Sequence, residues 1–496
     1  MSLISLLSLL STLVIIVASQ NNDAAVYFPA EDGVQPIPQT GQRFQAATIN
    51  VKDLENLRGT SKYEKYVDDI IAKGISRLTV QLNKLLKKQT HNAENVLFSP
   101  ISITNALALV LLGSNGITFK QISGFWGLAT GIPDIDKKSQ IVHEQFSRML
   151  YKLNKTAGFQ LGQEINVASA LFVQQGYPIR PVYRSTAEDL YSSSIMSVDF
   201  ENNARLAQKE INDWVAKKTN QRIKSILNHE PSTDTKVVLT SALYFKAEWE
   251  HHFYDRSTKR RPFYVDGRNS PTTVEADMMS NGGEFPYYKD TQLGCEVLGL
   301  PYKGNRSTMY IIMPFESSKD KLYEFESRIT EDDLNNLVSK TRYTDAVLLF
   351  PRMKIETTID LRESLKLMGV TSLFDPKQAN LAILSSGHNP QNLTIGNRLG
   401  TTTSLDNIRQ LINEQSSDNN FQNPGLYADE VIHKVYMDIT EKGTEAAAST
   451  SVSLTRAGKT TFRVDVPFSF FIRHDETNTI LFWGSVIIPN PSYKKL

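Results

Sequence analysis

The stretch NVLFSPISITNALALVLLGSNG, residues 95–116, encodes a helix that is apolar almost all the way round. Ser99 can cap it, Pro100 takes the first helical position, and Gly113 supplies a left-handed stop. A helix without a polar face has no stable place on a surface, so it must run through the middle of a large domain. The chain can build one: 40% of its 496 residues are apolar and 22% are charged, which gives a large core and excludes disorder or a collagen-like repeat.

Other elements are arranged around that helix. Ile71, Ile75, Leu78, Leu82, Leu85 and Leu86 recur at three- and four-residue steps and predict an earlier helix closing on Lys87 and Lys88. A second amphipathic helix is predicted in AQKEINDWVAKKTNQRIKSIL, with Ile211, Val215, Ile223 and Ile226 or Leu227 facing inward. Strand-like runs follow: KVVLTSALYFKAEW, CEVLGLPY, STMYIIMPF, AVLLFPRMKI, EVIHKVYMDI, TFRVDVPFSFFIR and TILFWGSVIIP. Helices early and strands late argue for an α+β fold with large antiparallel sheets, against an alternating doubly wound one.

The ends and interruptions have their own signals. Residues 1–19 are an uncharged apolar run ending in Val17-Ala18-Ser19, which reads as a signal peptide, with a membrane anchor as the alternative. Residues 20–70 are polar, carry Pro29, Pro36 and Pro38, and predict a mostly disordered extension. Residues 386–425, rich in Asn, Gln, Ser and Thr, read as a surface insertion in which TSLDNIRQLINEQ can form a short helix. Sequons at Asn154, Asn305 and Asn392 fit the secretory pathway and an extracellular destination. Cys295 is the single cysteine, so no internal disulfide forms.

Known catalytic patterns are missing. There is no GxSxG, HExxH, GxxxxGK[ST] or GxGxxG motif, which argues against an enzyme, and no cofactor or metal is expected. His251-His252 lacks the further ligands a metal needs. Lys259-Arg260-Arg261 reads as a solvated basic turn. Lys plus Arg number 54 against 53 for Asp plus Glu, so no overall field recruits nucleic acid.

The segment EKGTEAAAST, Glu441 to Thr450, resembles the reactive-loop hinge of an inhibitory serpin. FSPISI (98–103), INDWVAKKTN (211–220), LYFKAEW (243–249), FPRMKIE (350–356), EVIHKVYMDI (430–439) and VPFSFFIRHDETNTILFWG (466–484) follow that family's order, over about Gly74 to Pro491. The resemblance implies a serpin fold over residues 71–496, with three β-sheets, eight or nine helices and an exposed reactive-centre loop at 441–463. It also implies a secreted monomer that traps an extracellular trypsin-like serine protease as a covalent complex.

Several positions carry over. Gly443 marks where the loop folds into the main sheet. Thr444, Ala446, Ala448 and Thr450 alternate inward, with Glu445, Ala447 and Ser449 on the other face. Ser99, Ser102 and His433 match a buried cluster beneath the sheet centre, and Ser241 stands where the family usually has Asn. Trp249 matches the tryptophan at the sheet's upper opening, and Glu441 with Arg352 an ion pair there. Gln221 sits where a Gly is common. Counting from Glu441 puts the scissile bond after Ala457. Counting back from Pro467 puts it after Arg456, the reading taken here because Arg456 suits a trypsin-like pocket.

Overall fold

Apolar steps run back from Ile71 to Val67, and the first helix, α1 (Ser61–Gln89), begins ten residues before the expected boundary at 71. Val67, Ile71, Ile75, Leu78, Leu82 and Leu86 form one buried face, and buried Asp68 is paired with Lys152. Residues 61–70 therefore belong to the ordered domain and not to the extension. The computed structural model describes residues 61–90, 94–130, 135–156, 163–387, 423–444 and 460–489. The signal sequence, most of the 386–425 insertion with Asn392, and loop residues 445–459 with Glu445, Ala446, Ala447, Ala448, Ser449, Arg456 and Ala457 lie outside the described residues.

Helix α2 (Pro100–Gly113) is buried at every position, as a helix with no polar face requires. Ser99 caps it, its Oγ accepting from the Ser102 amide at 3.3 Å. Its C-terminus departs from expectation, because Gly113 is the last helical residue and Ser114 after it is extended, while the left-handed glycine is Gly116 at φ +57°. Gly113 is needed for space instead: a Cβ there would lie 2.9 Å from the Tyr183 ring and 3.0 Å from Leu384 Cβ.

Helices α3 (Gly116–Thr130), α4 (Ile135–Thr156), α5 (Pro181–Tyr191), α6 (Phe200–Lys218), α7 (Lys319–Arg328), α8 (Glu331–Lys340) and α9 (Arg362–Leu367) complete nine among the described residues. α6 ends before Ile223, contrary to the sequence reading. Thr219 Oγ1 donates to Val215 O at 2.8 Å, and Asn220 and Gln221 turn left-handed at φ +49° and +62°. Ile223, Ile226 and Leu227 return on the following segment to the same core as Ile211 and Val215. The left-handed Gln221 explains why a glycine is favoured there, since a Cβ strains that backbone conformation.

Strands β2 (Gln163–Gln174), β3 (Ser194–Val198), β4 (Val237–Glu248), β10 (Met353–Asp360), β11 (Ala428–Thr440) and β12 (Gly443–Thr444) form a six-stranded sheet ordered β10-β11-β12-β4-β2-β3. α6 covers one face, packing Ile211 and Val215 on Ala168, Ala170, Phe172, Val238, Ala242, Ile432 and Tyr436. Val237 to Phe245 of β4 are buried without interruption, as in a strand covered on both faces.

The second ladder has nine strands: β1 (Val96–Phe98), β5 (Lys259–Tyr264), β6 (Thr273–Asp290), β7 (Cys295–Pro301), β8 (Ser307–Pro314), β9 (Arg342–Pro351), β13 (Thr460–Arg463), β14 (Phe468–His474) and β15 (Thr479–Val486). Its length comes from the 18-residue β6, which pairs first with β5, then β9, then β7. Two of the three expected sheets are thus joined through β6. Lys259-Arg260-Arg261, expected in a turn, opens the edge strand β5 instead.

Candidate functional site

Three strands of the six-stranded sheet place polar side chains in one row. Register sets His433 of β11 opposite Ser241 of β4, and Ser241 opposite Ser169 of β2. Beneath them the N-terminus of α2 brings up Ser99 and Ser102. The Ser99 amide donates to His433 Nε2 at 2.9 Å, so Nδ1 carries the ring proton and donates to Ser241 Oγ at 3.1 Å. Ser241 and Ser102 hydroxyls meet at 2.7 Å. All four side chains are fully buried. Burial lowers His433 to about 3, so the imidazole is neutral.

Ser241 therefore completes this network directly. Asn105, which the sequence reading passed over, lies beside it: its side-chain amide donates to the Oγ of Ser169, which faces Ser241 in the strand register, at 3.2 Å. The signal was present, an Asn one turn after Ser102 in a helix otherwise apolar.

Below the upper end of the sheet, β4 and β11 pair directly and in parallel, from Val237 with Ala428 to Tyr244 with Tyr436. Above that point they separate and β12 lies between them. Gly443 faces Glu248 and Thr440, and Thr444 faces Ala247 and Ile439, antiparallel to both neighbours. Thr444 is fully buried and its hydroxyl meets Tyr302 Oη at 3.0 Å. Gly443 has φ +151°, and a Cβ would sit 2.1 Å from Ala247 O, so no other residue fits without displacing strand β4. Gly443 and Thr444 are thus already strand.

The opening is lined by the other carried-over residues. Trp249 stacks on Tyr302 with centroids 4.4 Å apart, and its indole N–H donates to Thr440 O at 3.0 Å. Arg352 Nη1 approaches Glu441 Oε1 at 3.5 Å. The sequence reading missed Thr258, whose hydroxyl donates to the same oxygen at 2.8 Å. It also missed Tyr302, which touches both Trp249 and Thr444.

Of the sequons, Asn305 is exposed in the turn between β7 and β8 at φ +51°. Asn154 lies in the last turn of α4. Among the described residues, no group of three His, Cys, Asp or Glu could hold a metal, and no helix is long and apolar enough to cross a membrane.

The chain and its fold have counterparts among known proteins. A family model described as "Serpin (serine protease inhibitor)" matches residues 73–489. Serine protease inhibitor 28Dc of Drosophila melanogaster is 32% identical over 450 residues, covering 86% of this chain and 81% of that protein. Uncleaved ovalbumin is similar in structure with a TM-score of 0.68 at 27% identity, covering 84% of this chain and 100% of that one. Human thyroxine-binding globulin complexed with thyroxine gives 0.70 at 23% identity, covering 86% and 99%, a likeness of fold. The chain belongs to the serpin family.

Proposed function

We propose that this chain is a secreted inhibitory serpin, a suicide substrate for an extracellular trypsin-like serine protease. Residues 1–19 are removed on export, Asn154, Asn305 and Asn392 accept glycans, and residues 441–463 form the reactive-centre loop. The protease serine attacks the Arg456 carbonyl. The Arg456–Ala457 amide breaks, an ester to the serine forms, and the amine of Ala457 leaves with the proton delivered by the protease histidine. The freed loop then enters the six-stranded sheet and carries the acylated protease along before water can release it. Thr444 to Arg456 spans roughly 44 Å as a strand, at about 3.4 Å per residue.

The observation that carries this reading is β12, already antiparallel to both β4 and β11. Continuing its register brings Ala446 opposite Phe245 and Met437, Ala448 opposite Leu243 and Val435, and Thr450 opposite Ser241 and His433. Each inward position is small and uncharged, as entry into a packed sheet requires. Thr450 arrives at the one polar row with a hydroxyl. A non-inhibitory serpin acting as carrier or chaperone, the other reading, has no need of such a hinge.

Mixing the purified protein with trypsin tests the proposal. A complex stable on a denaturing gel is expected, with a released C-terminal fragment that mass spectrometry finds beginning at Ala457. Arg456→Ala should abolish the complex with trypsin and leave the fold intact. Complete digestion of the unmodified chain without a complex would remove the inhibitory reading, and a fragment beginning at Gly458 would move the scissile bond to Ala457.

A further inference from the structure

We propose that Asn115 is a self-modifying site, where the backbone nitrogen of Gly116 attacks the side-chain amide and the folded chain ages into aspartate and isoaspartate forms. The inference is independent of the inhibitory reading.

Asn-Gly occurs twice in the chain, at Asn115-Gly116 and Asn281-Gly282. Glycine has no Cβ to crowd a reaction at its own nitrogen, so this pair is where a five-membered ring closes most readily. In both places the glycine N–H donates to the preceding carboxamide oxygen, at 2.6 Å for Asn115 and 2.8 Å for Asn281. A C=O bond is about 1.2 Å long, so the Gly116 nitrogen lies within about 3.8 Å of Asn115 Cγ, close to the separation of a near-attack pair.

The surroundings separate the two. Gly116 heads α3, so the helical ladder makes no claim on its N–H. It is exposed, and a Cβ there would meet only Asn380 Nδ2, at 3.7 Å, so water and hydroxide reach the bond. The positive end of α3 favours the negative charge that develops during attack and that the product carries. Asn281, by contrast, is 2% exposed. Its Nδ2 donates to His251 O at 2.8 Å, and Gly282 is paired with Val347 between β6 and β9. There the leaving nitrogen is held and the attacking one is fixed in a sheet.

The reaction needs only water. Base takes the Gly116 N–H proton, the nitrogen bonds to Cγ, and the Cγ–Nδ2 bond breaks with release of ammonia. Water then opens the cyclic imide. Addition at Cγ gives aspartate, whereas addition at the main-chain carbonyl routes the chain through the side chain and gives isoaspartate. Aspartate keeps the start of α3, since Asp caps a helix as well as Asn. Isoaspartate lengthens the main chain by one carbon and turns the Asn115 carbonyl, which accepts from Phe119 N at 3.3 Å, into a free carboxylate. It thereby strains a joint that Asn115 N and Gly113 O tie to Asn380 O and Leu384 N, each at 3.0 Å.

Incubating the full chain in oxygen-18 water and mapping its peptides by mass spectrometry tests the site. At pH 8 the Asn115 fragment should exchange its amide for one labelled oxygen, as a mixture of the two products, no more slowly than in chain unfolded by urea. The Asn281 fragment should convert at least tenfold more slowly than in urea. Conversion at Asn115 should fall at least tenfold at pH 5, because attack needs the deprotonated nitrogen. Asn115→Gln, which would have to close a six-membered ring, should leave that fragment unchanged. Protection of Asn115 equal to that of Asn281, or equal conversion of the Gln variant, would overturn the proposal. Isoaspartate-bearing chain should melt below Asn115→Asp, and equal melting would remove the effect on the joint. No protease-inhibition readout enters, so failure here is separable from failure of trypsin to form a complex.

Discussion

At His433 a titratable ring is kept neutral inside a hydroxyl row, and this makes one interaction pH-dependent. Its folded-state value of about 3 lies below the 6.5 of the unfolded chain. Between those values the unfolded state binds a proton that the native state does not, so this residue's contribution falls as pH falls, by about 1.4 kcal/mol per unit. His433→Gln should cost about 2–3 kcal/mol at pH 7.5 through lost buried bonds, and the gap to the parent should narrow at pH 5.5. Urea midpoints at the two pH values measure it; a constant gap would count against the neutral, buried imidazole. Comparing variant with parent cancels His143 and His474, each lowered by burial to about 4. Gln221→Gly tests another residue. Relief of about 1–2 kcal/mol of left-handed strain, less about 0.5–1 for glycine's extra unfolded freedom, should raise Tm by about 1–2 °C. An unchanged or lower Tm would show that Gln221 is not strained. Ser99, Ser102 and His433 were legible at this scale because their local motifs are distinctive. Ser169, Thr258 and Tyr302 were not, because only cross-strand register and a turn bring them to the site.

Among the elements, β12 is two residues long and holds the most consequence. Gly443→Ala cannot keep its place 2.1 Å from Ala247 O, so the hinge should leave the slot. Hydrogen exchange at the Thr444 amide should then accelerate, and an unchanged rate would mean β4 yields instead. Thr444→Arg asks more of the sheet, since a buried unpaired cation costs several kcal/mol. On the inhibitory reading it should turn the chain from inhibitor into substrate, with trypsin cutting the loop and no complex forming; undiminished complex would sink the insertion argument. Elements with continuous apolar runs, such as α2, β4 and β8, could be read from the sequence. β6 could not, because TVEADMMSNGGEFPYYKD changes partners twice, is exposed along part of its length and carries Gly282, Gly283 and Pro286. β5 was read as a turn for a similar reason: on an edge with both faces solvated, a strand loses the alternation that marks it. The early end of α6 was hidden because Ile223 and Ile226 keep a helical spacing while packing from a loop.

For the molecule as a whole, the order of motifs along the chain identified the architecture, since each motif alone is weak and their sequence is not. The joining of two sheets through β6 was not legible, being a property of pairing. A nick in the loop should raise Tm by more than about 10 °C, because two new antiparallel ladders at about 0.5–1.5 kcal/mol per bond replace one parallel ladder. Calorimetry before and after limited proteolysis reads this directly, and an unchanged transition would speak against insertion. The polarity of that seam has a further consequence. β4 and β11 lie parallel where they touch, whereas β12 between them is antiparallel to each. On the inhibitory reading, every further residue that enters exchanges one pairing for two better ones, withdrawal requires breaking both together, and the motion is a ratchet. On the inhibitory reading each molecule works once and is not recovered, so the protection a tissue has is a stock of intact copies, replenished only by new synthesis.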